Sequence, residues 1–188
     1  MIQLFGDARY FIQGGDWGHA LAVWAAHDRP DALLGIHINM MTVRAEDAAP
    51  TTDEEKFFAA KRAAIADQES AYFHEQATRP QTLGVAMADS PVGAAGWILE
   101  KFGKWADLPT TADGDPDIWS KFSEEELLTN IMLYIAPASF VTASWIYYGS
   151  RLEASRMLPA GSRIQVPTGF AAFPDPVSYT HLRAHETV

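Results

Sequence analysis

Cysteine is absent from the 188-residue sequence. No disulfide can brace the fold and no thiolate can take part in chemistry, so a reducing, cytoplasmic setting fits. Basic residues are scarce as well. Fourteen Lys and Arg stand against 24 Asp and Glu, for a formal charge of −10. Nucleic acid and anionic membranes both call for a basic face, so neither is expected as a partner. No apolar run is long enough to span a bilayer, and no basic segment followed by an apolar stretch marks a secretory signal. Metal-ligand spacing is missing too: His19, His27, His37 and His74 read as structural or exposed residues. Asp113, Asp115, Asp117 and Glu124 meet some positions of a calcium loop, but Ile118 stands where the loop needs glycine and Pro116 stiffens it. "GWILEKFGKW" has a Gly-Lys pair without phosphate-loop spacing. Neither cofactor nor metal is therefore expected. The 48% apolar and 20% charged residues that remain suit a globular domain with a sizeable core.

The order of elements narrows the fold to α/β. "RYFIQ" (Arg9 to Gln13) reads as a short buried strand. "GHALAVWAAHDRPDA" places Leu21, Trp24 and Ala25 at helical spacing, and Pro30 follows its end. "LLGIHINM" is a second apolar run bounded by turn residues. A strand, helix and strand this close together predict neighbouring parallel strands. From Met41 to Leu158 the pattern turns helical. Thr52 with Glu55 and Ser123 with Glu126 form capping boxes, the first opening a long helix towards Arg79. Ser90 and Pro91 mark another helix start, and "ASFVTASWIYYGSRLEAS" reads as a further helix. Strand character returns at Ile164 and Val166, with Pro167 ending it. The expectation is a partial parallel sheet over 1–40, a large inserted all-helical lid over 41–158, a return to the sheet over 159–176 and a tail over 177–188. Trp97, Trp105, Trp119 and Trp145 are expected to pack lid helices, some of them lining an apolar pocket.

"GGDWG" joins the first strand to the first helix. Small residues lie two positions either side of Asp16, the pattern of a nucleophile elbow. Such a turn is tight, glycines relieve its clashes, and it pushes one side chain out above the sheet edge. Helix N–H groups point towards the same spot, and the Trp17 N–H is placed as half of an oxyanion hole. A carboxylate there can attack carbon without a base to activate it, forming an alkyl ester that water then opens. That chemistry suits an electrophilic sp³ carbon, as in epoxides or alkyl halides. The plainer alternative is that Asp16 only caps the helix.

These residues carry a resemblance. The sequence up to about Asp175 resembles the microsomal-type epoxide hydrolases of the α/β-hydrolase superfamily. "FIQGGDWG" looks like the family's nucleophile segment. "ESAYFHEQATRPQTLGVAMADSPVGAAGWILEKFGKW" is similar to its lid, and "EEELLTNIMLY" and "VPTGFAAFP" match further segments. The resemblance implies Asp16 as nucleophile and Trp17 as oxyanion donor. It also implies two tyrosines that protonate the epoxide oxygen: Tyr72 in "AYFHEQ" and Tyr147 in "ASWIYYGS", with Tyr148 as the second choice. From composition alone each tyrosine would read as a packing residue. The implied substrate is a small epoxide with an apolar substituent, and the implied product a vicinal diol.

Several family features have no counterpart. Nothing matches the strands or the His-Gly-x-Pro-like loop that precede the nucleophile. The family's acid would fall on Pro176, with Asp175 one residue out of register, and no later strand leads to a catalytic histidine. "VSYTHLRAHETV" resembles translated adapter sequence, which argues against His181 or His185 as the base. The expectation is an internal piece of an epoxide hydrolase that does not turn over alone. Two other readings stay open. A haloalkane dehalogenase also uses an elbow aspartate, often followed by tryptophan. A non-catalytic hydrolase-fold protein could bind an apolar ligand with the same scaffold.

Overall fold

The computed structural model describes residues 9–171. The expectations for Asp175, Pro176, His181, His185 and the tail over 177–188 lie outside the described residues. Two compact units divide the chain, residues 9–66 with 154–171 and residues 67–153.

In the first unit, β1 (Tyr10–Gly14), α1 (Trp17–Asp28) and β2 (Leu33–Ile38) follow in close succession. The two strands pair in parallel, from Tyr10 opposite Leu33 to Gly14 opposite Ile38. After β2 come β3 (Arg44–Ala45) and α2 (Asp53–Glu69), and the chain returns as β4 (Met157–Leu158) and β5 (Thr168–Phe170). β5 pairs in parallel with β2, so the main sheet runs β1-β2-β5, while β3 and β4 form a small parallel pair. The expected α/β class with parallel strands is what the fold contains. α1 covers the sheet with Ala20, Ala22, Val23 and Ala26, against Leu33, Ile36 and Ile38. Small residues on that face let helix and sheet approach closely. The spacing of Leu21, Trp24 and Ala25 pointed to a different face: Leu21 is 71% exposed. Trp24 is half-buried and its indole N–H donates to the Ser155 carbonyl at 2.5 Å, tying the helix to the segment before β4.

The returning strand starts where the sequence suggested it ends. Pro167 has no N–H to give a ladder, but its carbonyl accepts from Ile36 N–H at 2.9 Å, and β5 begins at the next residue. A proline at the first rung of a strand costs no sheet hydrogen bond.

The second unit is helical: α3 (Ala71–Thr78), α4 (Pro80–Asp89), α5 (Pro91–Trp105), α6 (Glu124–Ile135) and α7 (Phe140–Leu152). The single helix expected from Thr52 towards Arg79 is two, α2 and α3, divided at Ser70. Arg79 has φ −136° and ψ 49°, outside the helical region, because the following proline disfavours that region in its predecessor. Ser90 before Pro91 breaks the chain in the same way, and its hydroxyl accepts from Gly93 N–H at 3.0 Å. Both expected capping boxes form, Thr52 with Glu55 and Ser123 with Glu126. Trp119 and Trp145 are exposed rather than packed. No single described helix is long and apolar enough to cross a membrane.

Candidate active site

Asp16 stands between β1 and α1 with φ 45° and ψ −126°. A positive φ is disfavoured for any residue with a Cβ, costs about 1–3 kcal/mol, and persists only where the surroundings hold it. Gly14 makes the turn possible: a Cβ there would lie 2.2 Å from the Gly18 carbonyl oxygen. A Cβ on Gly15 would meet the Asn39 side chain at 2.8 Å. Gly18 is different. Among the described residues a Cβ there would meet nothing within 4 Å, so of the two flanking positions only the first requires glycine for space within them.

The Asp16 side chain makes no capping hydrogen bond to α1. Its carboxyl is mostly withdrawn from water, and burial pushes its pKa above the ordinary carboxylate value. His19 and the neighbouring Trp17 N–H pull in the opposite direction with smaller effect. Asp16 and Trp17 thus lie together at one turn.

His19, which the sequence marked only as structural or exposed, is buried at 4% exposure. Its Nδ1 contacts the Asp16 carbonyl, and its Nε2 lies 2.8 Å from Thr42 Oγ1 and 3.3 Å from Thr42 N. Burial is the main cause that holds the imidazole pKa below its ordinary value. No sequence signal pairs His19 with Thr42, because 23 residues separate them.

A second polar chain lies at the far end of α1. Ser162 Oγ is 3.2 Å from His27 Nε2, and His27 Nδ1 is 2.9 Å from Asp28 Oδ1. The order imitates a serine triad, but Asp28 is exposed to water and the adjacent Gly161 N–H is donated to Asp47 at 2.9 Å. With that N–H engaged it is not available to an oxyanion.

Tyr72 and Tyr147 belong to the second unit, and their rings meet edge to face with centroids 6.0 Å apart. A buried polar pair, Gln76 and Ser144, lies between the helices that carry them. Ser144 Oγ lies 3.4 Å from Gln76 Oε1 and donates to the Phe140 carbonyl at 3.0 Å, while Gln76 Nε2 donates to the Tyr72 carbonyl at 3.2 Å. Gln76 follows Tyr72 by one turn and Ser144 precedes Tyr147 by nearly one, so α3 and α7 run in opposite directions past each other. Tyr72 also packs on Trp105 at 5.1 Å, and Lys101 Nζ sits 5.0 Å from the Tyr72 ring centroid. Lys101 is held by Glu100 at 3.1 Å and Glu69 at 3.5 Å. Tyr148, the neighbouring candidate, is exposed.

No protein-family model matches the chain. Epoxide hydrolase 1 of Oryctolagus cuniculus is 36% identical over 193 residues, an alignment that takes in 93% of this chain and 42% of that protein. Among solved structures, the juvenile hormone epoxide hydrolase of the silkworm Bombyx mori superposes with a TM-score of 0.70 at 27% identity, covering 90% of this chain and 44% of that one. The epoxide hydrolase of Aspergillus niger gives 0.69 at 28% identity over 92% of this chain and 42% of its own. The chain spans about two fifths of the length of the curated relatives it matches. Over the stretch it spans, the chain is homologous to the epoxide hydrolases of the α/β-hydrolase family.

Proposed function

We propose that the chain is the nucleophile-and-lid portion of a microsomal-type epoxide hydrolase acting on small epoxides with apolar substituents. One Asp16 carboxylate oxygen attacks the less hindered ring carbon. The carbon–oxygen bond at that carbon breaks, and the leaving oxygen takes a proton from Tyr72 or Tyr147, so no free alkoxide forms. The product of this half is an alkyl ester on Asp16. Water, activated by a His–acid pair that we assign to the rest of the whole enzyme, then adds to the ester carbonyl. The Trp17 N–H stabilises the oxyanion; collapse expels the alcohol oxygen, which takes the proton held by the histidine, and the proton of the new carboxylic acid returns to the tyrosinate, so the vicinal diol leaves with the Asp16 carboxylate and the phenol restored.

One observation carries this reading. Asp16 occupies a disfavoured positive φ at a strand-to-helix turn and its side chain makes no cap hydrogen bond, so helix capping does not account for it. The experiment is intact-mass spectrometry of the chain after incubation with styrene oxide. The expected result is a single stable adduct of one epoxide mass, absent in Asp16→Asn. In the whole enzyme Asp16→Ala is expected to lower diol formation by about a thousandfold or more. Diol formation near wild type in that variant removes Asp16 from the role. Halide release from a haloalkane without diol formation would favour a dehalogenase instead.

A further inference from the structure

Among the described histidines only His19 is buried, and its ring joins two stretches of backbone. The Thr42 backbone N–H at 3.3 Å can only donate, so Nε2 accepts. The single proton of the neutral ring therefore sits on Nδ1 and faces the Asp16 carbonyl. That carbonyl and the Trp17 N–H are the two ends of one planar trans peptide unit, pointing in opposite directions. Whatever fixes the orientation of the first fixes the aim of the second. The His19 backbone N–H also reaches the Asp16 carbonyl at 3.1 Å, but a bond from within the helix end moves with that end. The imidazole is different, because Thr42 anchors it to the segment beyond β2.

We propose that His19 is a positioning residue that, strung between Thr42 and the Asp16 carbonyl, aims the Trp17 N–H at the oxyanion formed during ester hydrolysis. The inference rests on the reading of Asp16 as nucleophile and assigns His19 to the second half-reaction. The Trp17 N–H also reaches the Asp16 carboxylate, but attack on the epoxide removes charge from that carboxylate, whereas ester hydrolysis builds charge on the carbonyl oxygen and so depends more on the N–H. Loss of the His19 bond should therefore slow hydrolysis of the ester and leave its formation nearly unchanged. When only ester hydrolysis slows, kcat and KM fall together and kcat/KM stays constant. General damage to the fold lowers kcat/KM as well.

The test compares His19→Phe, which keeps bulk and removes both bonds, with His19→Asn, whose amide can still donate to the Asp16 carbonyl. Both are made in the whole enzyme with styrene oxide as substrate, alongside Asp16→Asn. For His19→Phe, kcat is expected to fall about tenfold with KM falling in proportion, and the Asp16 ester should dominate the intact-mass spectrum during turnover. His19→Asn is expected to recover to within about threefold of wild type. Should His19→Phe fail to fold, Thr42→Val must show the same pattern at smaller size. An unchanged kcat, an equal drop in kcat/KM, or no ester accumulation in the variants overturns the role of His19. If Asp16→Asn still makes diol, the nucleophile assignment fails and this inference fails with it. If Asp16→Asn is inactive while His19→Phe behaves as wild type, only the His19 assignment fails.

Discussion

The Tyr72 and Tyr147 rings meet edge to face one helical turn from the buried Gln76–Ser144 pair. Two phenols held this way can share one task. Changing either to Phe in the whole enzyme is expected to slow ester formation by about tenfold to a hundredfold, and changing both by more than either alone. Stopped-flow tryptophan fluorescence or rapid-quench mass spectrometry follows that step. A double variant that alkylates at the normal rate would remove both from the role. Tyr148→Phe, an exposed neighbour, is expected to change nothing.

The packing of α4 on α7 predicts opposite outcomes at two glycines. A Cβ on Gly84 would sit 2.6 Å from the Val141 Cα, and backbone cannot move aside as a flexible side chain can. Gly84→Ala is expected to destabilise by about 1–3 kcal/mol. Gly96, exposed on α5, has none of the described residues within 4 Å of the same added atom. Gly96→Ala is expected to stabilise by about 0.5–1 kcal/mol through helix propensity. Urea unfolding of the two variants checks both signs.

Asp16 and His19 shift in opposite senses, and each sets a pH window. Burial raises the Asp16 pKa, so its charged form costs stability above that raised value, and the cost is relieved as pH falls through it. Asp16→Asn is therefore expected to raise Tm at neutral pH, with the gain shrinking on acidification. Burial lowers the His19 pKa from its ordinary value of 6.5, so the unfolded chain takes up the proton first. Stability from neutral His19 is fully present above 6.5 and is lost as pH falls from there through the lowered folded value. The charged groups that face the ring are Asp16, which favours its protonation, and Arg156, which opposes it. Scanning calorimetry between neutral and acid pH should show His19→Asn losing less stability than wild type below pH 6.5. Equal slopes would show that burial does not hold the His19 pKa below its ordinary value.

Much of this was legible from local signals. The β1–α1–β2 unit, both capping boxes and the Ser90–Pro91 helix start depend on residues close in sequence, and the structure contains them. The glycine pattern around Asp16 located the turn because the geometry there tolerates few alternatives. Longer-range features were out of reach. The buried apolar residues of α1 are alanines and a valine, whose weak hydrophobic contrast hid that face behind Leu21 and Trp24. β5 begins after Pro167 rather than ending there, since a carbonyl with a partner on β2 leaves no trace in the local sequence. His19 could be listed among the histidines but not understood, because its partner arrives from beyond the second strand. The preference for Tyr147 over Tyr148 came from resemblance alone, and only the packing separates a ring seated on Tyr72 from an exposed one.

The two glycines flanking the elbow by two positions differ in a way that bears on how such turns are found in genomes. At Gly14 a single methyl group would enter the van der Waals sphere of a backbone oxygen, whereas at Gly18 it would meet none of the described residues within 4 Å. A search pattern that demands a small residue on both sides treats a steric necessity and a free choice alike. Deep mutational scanning of the whole enzyme should return an almost empty column at Gly14, with even alanine depleted, and a populated one at Gly18. If alanine is accepted equally at both, close backbone approach does not constrain this turn. If the columns differ as expected, the motif can be written one position shorter, and its reach across uncharacterised sequence widens accordingly.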